Sequence, residues 1–373
     1  MKRSRLGARF LDAGAPSIRM GDWEIPARIG TSQEDYAAIR FQAGILDLSH
    51  RTTLRIAGSN RLKFLQGILT NDANTLEPGR GLYAAILSPK GKMQADVTVY
   101  AVDDWLWADA EAEVAGTLPP ILTRYTIGTD ATVGDLSLTH GVIGVYGPAA
   151  ADTLALAFKG WVPPTTALAV GALTAFDTQL IVAESGYPAA PGYKLLTPSE
   201  ALEAVWTSLI EAGAKTGARP VGWDALETVR IEEGRPRYGA DMGVENFPPE
   251  ARIEDRAVSY TKGCYMGQET IARIRTYGHV NRLLVGLLPQ TDRPVAQGTK
   301  LYHPQITSVL RENKEAGYVT SSTYSPALQR IIAMGYVHRT LETPGTVVTV
   351  GDDPSVTATV VALPFAPPSS PLP

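Results

Sequence analysis

The pattern of apolar and polar positions changes character near Asn281. Before it, short runs rich in β-branched and apolar residues read as strands: Leu54-Arg55-Ile56-Ala57, Val97-Thr98-Val99-Tyr100, Val142-Ile143-Gly144-Val145-Tyr146 and Leu180-Ile181-Val182-Ala183. A helical repeat follows, with Leu202, Val205, Trp206, Leu209 and Ile210 at the spacing of one helix face. Thr197-Pro198-Ser199-Glu200 offers that helix a capping box, with proline at the first helical position, and Gly213 offers it a stop. A further helix is expected to start near Asp224. Beyond Asn281, short apolar stretches at 283–288, 335–337, 346–350 and 357–363 alternate with Gly/Pro turns, which predicts a small all-β module. Because helical and strand patterns interleave without strict alternation, the predicted class is α+β, with 21–280 as two interwoven subdomains and 281–365 as a β-barrel.

Composition places few limits on function. With 44% hydrophobic and 19% charged residues and a net charge of −4, the chain is expected to bury a large core and to divide into more than one domain. The charge exerts no overall pull toward nucleic acid or membrane, so neither is an expected partner. The basic start, Met1-Lys2-Arg3-Ser4-Arg5-Leu6, lacks the apolar run of a secretory signal, and 1–20 is read as a flexible tail. No uninterrupted apolar stretch approaches the roughly 20 residues of a membrane span, which predicts a cytoplasmic protein. The five histidines are scattered, so no metal site is predicted, and the absence of a long heptad pattern favours a monomer. The proline-rich end, 366–373, is expected to be disordered.

The most distinctive chemistry lies in Lys262-Gly263-Cys264-Tyr265-Met266-Gly267-Gln268-Glu269, which holds the only cysteine. A thiol reacts as its thiolate, favoured by a nearby cation or helix N-terminus. Lys262 is the candidate cation, and Gln268-Glu269 read as a helix start. The plain alternatives are a small buried Cys264 and simple helix capping by Gln268 and Glu269. One cysteine allows no internal disulfide and no four-thiolate cluster. A second candidate is Arg230, in Val229-Arg230-Ile231-Glu232-Glu233-Gly234. At helical spacing it shares a face with Trp223 and Glu227, which from spacing alone points to a structural salt bridge with Glu227.

Taken together, Gly44-Ile45-Leu46-Asp47-Leu48-Ser49-His50, Phe64-Leu65-Gln66-Gly67-Ile68-Leu69-Thr70-Asn71-Asp72, Gly317-Tyr318-Val319-Thr320-Ser321, Ile332-Ala333-Met334-Gly335-Tyr336-Val337 and Leu363-Pro364-Phe365 resemble the tetrahydrofolate-dependent aminomethyltransferase (glycine cleavage T-protein) superfamily. The octapeptide is similar to the signature of its YgfZ branch, folate-binding proteins that support iron–sulfur enzymes. The resemblance implies a three-part fold around a central folate cavity with a C-terminal β-barrel. It also implies folate contacts for Arg230 and Tyr83. The family's Gly-Gly-x-x-Asp-Asp stretch reads Gly91-Lys92-Met93-Gln94-Ala95-Asp96 here, leaving Asp96 as the retained acid at the folate site. The family's Gly-Tyr-Thr-Gly-Glu reads Gly186-Tyr187-Pro188-Ala189-Ala190, without the pterin-binding glutamate. The expected function is therefore a folate-binding accessory protein for iron–sulfur enzymes, including tRNA-modifying ones. In that reading Cys264 and Lys262 are reactive and Gly263, Tyr265, Gly267, Gln268 and Glu269 form the motif loop. The alternative is a tetrahydrofolate-dependent aminomethyltransferase or other one-carbon transferase.

Overall fold

In the computed structural model, which describes residues 1–186, 191–304 and 315–365, the strand-forming runs assemble into two large sheets, a barrel and a short hairpin. The predicted α+β class with a C-terminal β-barrel is observed. Two units divide the chain discontinuously. The first comprises Met1–Leu87, Gln94–Leu226 and Ala257–Met266, and the second Ser88–Met93, Glu227–Arg256 and Gly267–Pro373.

The first unit holds both sheets. One has six strands in the order Val170–Ala175, Thr178–Glu184, Gly192–Pro198, His140–Tyr146, Gly44–Asp47 and Arg219–Pro220. Its pairings are antiparallel except the last. The helices Ala150–Ala157 and Leu202–Thr216 share a buried cluster with it that includes Ile45, Val145, Leu195, Leu154, Val205 and Trp206. The other sheet has five strands in the order Gly81–Leu87, Met93–Val102, Trp105–Ala110, Thr52–Ala57 and Thr132–Asp135. Along Met93–Val102 burial alternates: Met93, Ala95, Val97 and Val99 are buried, whereas Gln94, Asp96 and Thr98 are half-buried. Period-two alternation thus places Asp96 on the less covered face.

In the second unit, the strands between Arg282 and Val361 close into a six-stranded barrel, which leaves no free sheet edge. Val285, Leu287, Leu301, Val319, Val337, Val348 and Val360 belong to one buried cluster, and Ile332, Met334 and Tyr336 pack with Ile231 in another.

Three expectations are corrected. The basic start is no solvated tail: Arg5–Asp12 is a helix whose Leu6 is fully buried in the first unit's core, and Ser17–Met20 pairs with Trp23–Pro26. The capping box does not form, because Thr197 and Pro198 extend a strand opposite Gly141 and His140 and the sheet ladder claims their backbone; the helix begins at Leu202 instead. Gly213 lies inside that helix, where a Cβ would stand 2.2 Å from the Ala218 carbonyl oxygen, and the stop is Gly217 in the left-handed region at φ 77°. The expectations for 366–373 and for Tyr187-Pro188-Ala189-Ala190 fall outside the described residues.

Candidate active site

Tyr83 and Asp96 come from neighbouring strands and meet. The Tyr83 hydroxyl donates to Asp96 Oδ2 at 2.9 Å. Burial, reinforced by the charge of Glu111, pushes the Asp96 carboxyl up to about 6, against the opposing pull of Tyr83 and Arg51. A carboxyl poised there can both hold and release a proton near neutral pH.

Beside this pair lies a charged cluster that the sequence reading missed. Arg51 donates from Nε and Nη2 to the two carboxylate oxygens of Asp109, at 2.7 and 3.0 Å, and from Nη1 to Glu111 Oε1 at 2.6 Å. Lys194 Nζ adds a contact to Asp109 Oδ2 at 2.6 Å. Burial alone would raise the Asp109 carboxyl, but Arg51 and Lys194 outweigh it and hold it below the usual range. Two signals for this cluster were present in the chain. Arg51 directly follows the Ser49-His50 motif, and Asp109 interrupts the wholly apolar remainder of Trp105–Ala110, a placement that demands a charged partner.

The octapeptide does different work from that expected. Lys262 is buried, and its Nζ donates to the backbone carbonyls of Gln66, Leu69 and Asn71, each at 2.8 Å. An ammonium has three donors, so all are engaged and none is left for Cys264. Burial lowers Lys262 to about 8. The turn it ties down leads to the acid: the Asn71 side-chain amide donates to the Tyr83 carbonyl at 2.9 Å, and Thr70 Oγ1 accepts from the Ala85 N–H. Lys262 therefore positions the strand that carries Tyr83. Cys264 is exposed, and space around Gly263 is open. Tyr265 is buried, which pushes its hydroxyl up to about 12. Gly267, left-handed at φ 79°, precedes the helix Gln268–Tyr277, whose first turn carries Glu269.

Arg230 belongs to the second unit and is 2% exposed. Its Nη1 donates to Asp241 and to the Arg235 carbonyl, and its Nη2 to Glu227 and Ser321 Oγ. Thr320 and Ser321 hydroxyls donate in turn to Asp241 Oδ1. The salt bridge with Glu227 that helical spacing predicts is present.

Two stability measurements check this assignment. Lys262→Met should cost about 2–4 kcal/mol in denaturant unfolding, by leaving three carbonyls without their charged donor, whereas Cys264→Ser should stay within about 0.5 kcal/mol; equal losses would contradict it. For Asp96, the folded value near 6 lies above the unfolded value of about 3.9, so the fold favours the protonated acid and stability falls as pH rises between them. Asp96→Asn should therefore be more stable than wild type by about 2 kcal/mol near pH 8, with no gain near pH 4.

Residues 6–262 match the GCVT N-terminal domain, and residues 282–366 match the glycine cleavage T-protein C-terminal barrel domain. The chain is 28% identical to the aminomethyltransferase of Bacillus pumilus, over 98% of each chain, and 30% identical to that of Streptomyces coelicolor, over 93% of this chain and 92% of the relative. The glycine cleavage system aminomethyltransferase T of Bartonella henselae has the same fold, with a TM-score of 0.86, 24% identity and 98% of both chains covered. These relatives overturn the expectation of an iron–sulfur accessory protein acting through Cys264, and they favour the alternative reading. The chain belongs to the glycine cleavage T-protein family.

Proposed function

We propose that the protein is a tetrahydrofolate-dependent one-carbon transferase acting on an aminomethyl donor. The observation that carries this reading is the Tyr83–Asp96 pair, a carboxyl raised to about 6 and oriented by a phenol. Relatives named aminomethyltransferase, matched over nearly the whole chain, support it.

The residues fit a reduced folate. A pterin presents N–H donors and amine nitrogens, and Asp96 keeps acceptor capacity beyond the single hydrogen bond from Tyr83. When bound, tetrahydrofolate supplies the nitrogen that accepts a carbon already at the oxidation level of the product, so no oxidant is needed. Asp96 would take a proton from the accepting amine and return it to the departing one as the donor's C–N bond breaks, and the donor's thiol would leave with the second amine's proton as the C–S bond breaks. Tyr83 holds the carboxyl in place, and the turn tied by Lys262 holds Tyr83.

The test is ammonia release from an aminomethyl thioether, with and without tetrahydrofolate. Release should depend on tetrahydrofolate and fall by about 10²–10⁴-fold in Asp96→Asn. An Asp96→Asn rate equal to wild type, or wild type that neither binds tetrahydrofolate in calorimetry nor releases ammonia, would refute the reading.

A further inference from the structure

The five-stranded sheet aligns four chemically distinct side chains. Its register pairs Thr98 with Asp109, and Thr52 with Ala110. Glu111 continues the extended backbone past Ala110, with φ −67° and ψ 156°. Carried forward to that residue, the same registers set Asp96 opposite Glu111 on one side and Arg51 opposite it on the other. The order across the strands is therefore Tyr83, Asp96, Glu111, Arg51.

Two carboxylates facing each other across a strand pair repel. Which of them holds a proton depends on where the cations are. Arg51 contacts Glu111 and Asp109, and Lys194 contacts Asp109. Asp96 faces the neutral phenol of Tyr83 on one side and the charge of Glu111 on the other, and its residues two positions away, Gln94 and Thr98, are uncharged. With three acids and two cations in the cluster, a proton is therefore held at lowest cost on Asp96.

We infer that Glu111, clamped by Arg51, is the positioning residue that makes Asp96 the proton-holding member of the cluster. The catalytic consequence rests on the transferase reading above; the coupling between the two carboxyls does not. Substrate amines then meet an acid whose proton affinity is set by its neighbour across the strands.

Carboxyl-carbon NMR of protein labelled with ¹³C-aspartate reads the Asp96 midpoint directly. Glu111→Gln keeps an oxygen for Arg51 and removes the charge, so the Asp96 midpoint should fall by about 1 pH unit. Glu111→Asp, which keeps the charge, should stay within about 0.5 pH unit of wild type. Arg51→Lys keeps a cation but cannot hold both acids, so Glu111 competes for the proton and the Asp96 midpoint should move downward; it provides a second reading if the glutamine variant does not fold. An Asp96 midpoint unmoved by either change overturns the inference. If the midpoint shifts but the pH dependence of folate-dependent ammonia release does not follow it, the coupling stands and the role of Asp96 in transfer fails.

Discussion

Arg51 brings a guanidinium to the end of a sheet where two carboxylates have almost no access to water, and its planar fork matches both. Arg51 and Lys194 hold the Asp109 carboxyl below its usual range against burial, and Arg51 also contacts Glu111. Breaking a buried pair by removing one partner costs far more than the pair contributes, because an uncompensated charge is left behind. Strand register sets Asp96 opposite Glu111, and this clamp holds Glu111 there. Arg51 and Lys194 pull the Asp109 carboxyl down, whereas burial and the charge of Glu111 push the Asp96 carboxyl up.

Lys262 supplies a second constraint of the same kind. Its ammonium satisfies three carbonyls of a turn that bridges to the Tyr83 strand at Leu69 and Ile86 and also meets it through Asn71. Burial lowers its proton affinity, and the charge of Asp72 offsets part of that. The octapeptide thus contributes to the site through its lysine, with Cys264 left at the surface.

Much of the architecture was legible from the chain. The strand runs, the helix face containing Val205, Trp206 and Leu209, and the change to a barrel after Asn281 all follow from hydrophobic period, which burial imposes directly. The start of that helix was not legible, because Thr197 serves a sheet ladder that only tertiary pairing reveals. Leu6 was misjudged because its core partners lie far along the sequence. At the site, Tyr83 and Asp96 were found by motif and are joined by a hydrogen bond. Arg51, Asp109, Glu111 and Lys194 were missed, since Arg51 flanks one strand, Asp109 and Glu111 belong to the end of another and Lys194 to the other sheet, so only tertiary pairing brings them together. The function was misread for a related reason: a short motif around a rare residue outweighed similarity spread thinly over the whole chain.

The most direct measurement is the pH dependence of kcat/KM for tetrahydrofolate-dependent transfer in wild type and Asp96→Asn. The account predicts a wild-type rate that falls as pH drops through about 6 and a low variant rate that lacks this limb. A limb of the same midpoint in both proteins would contradict it.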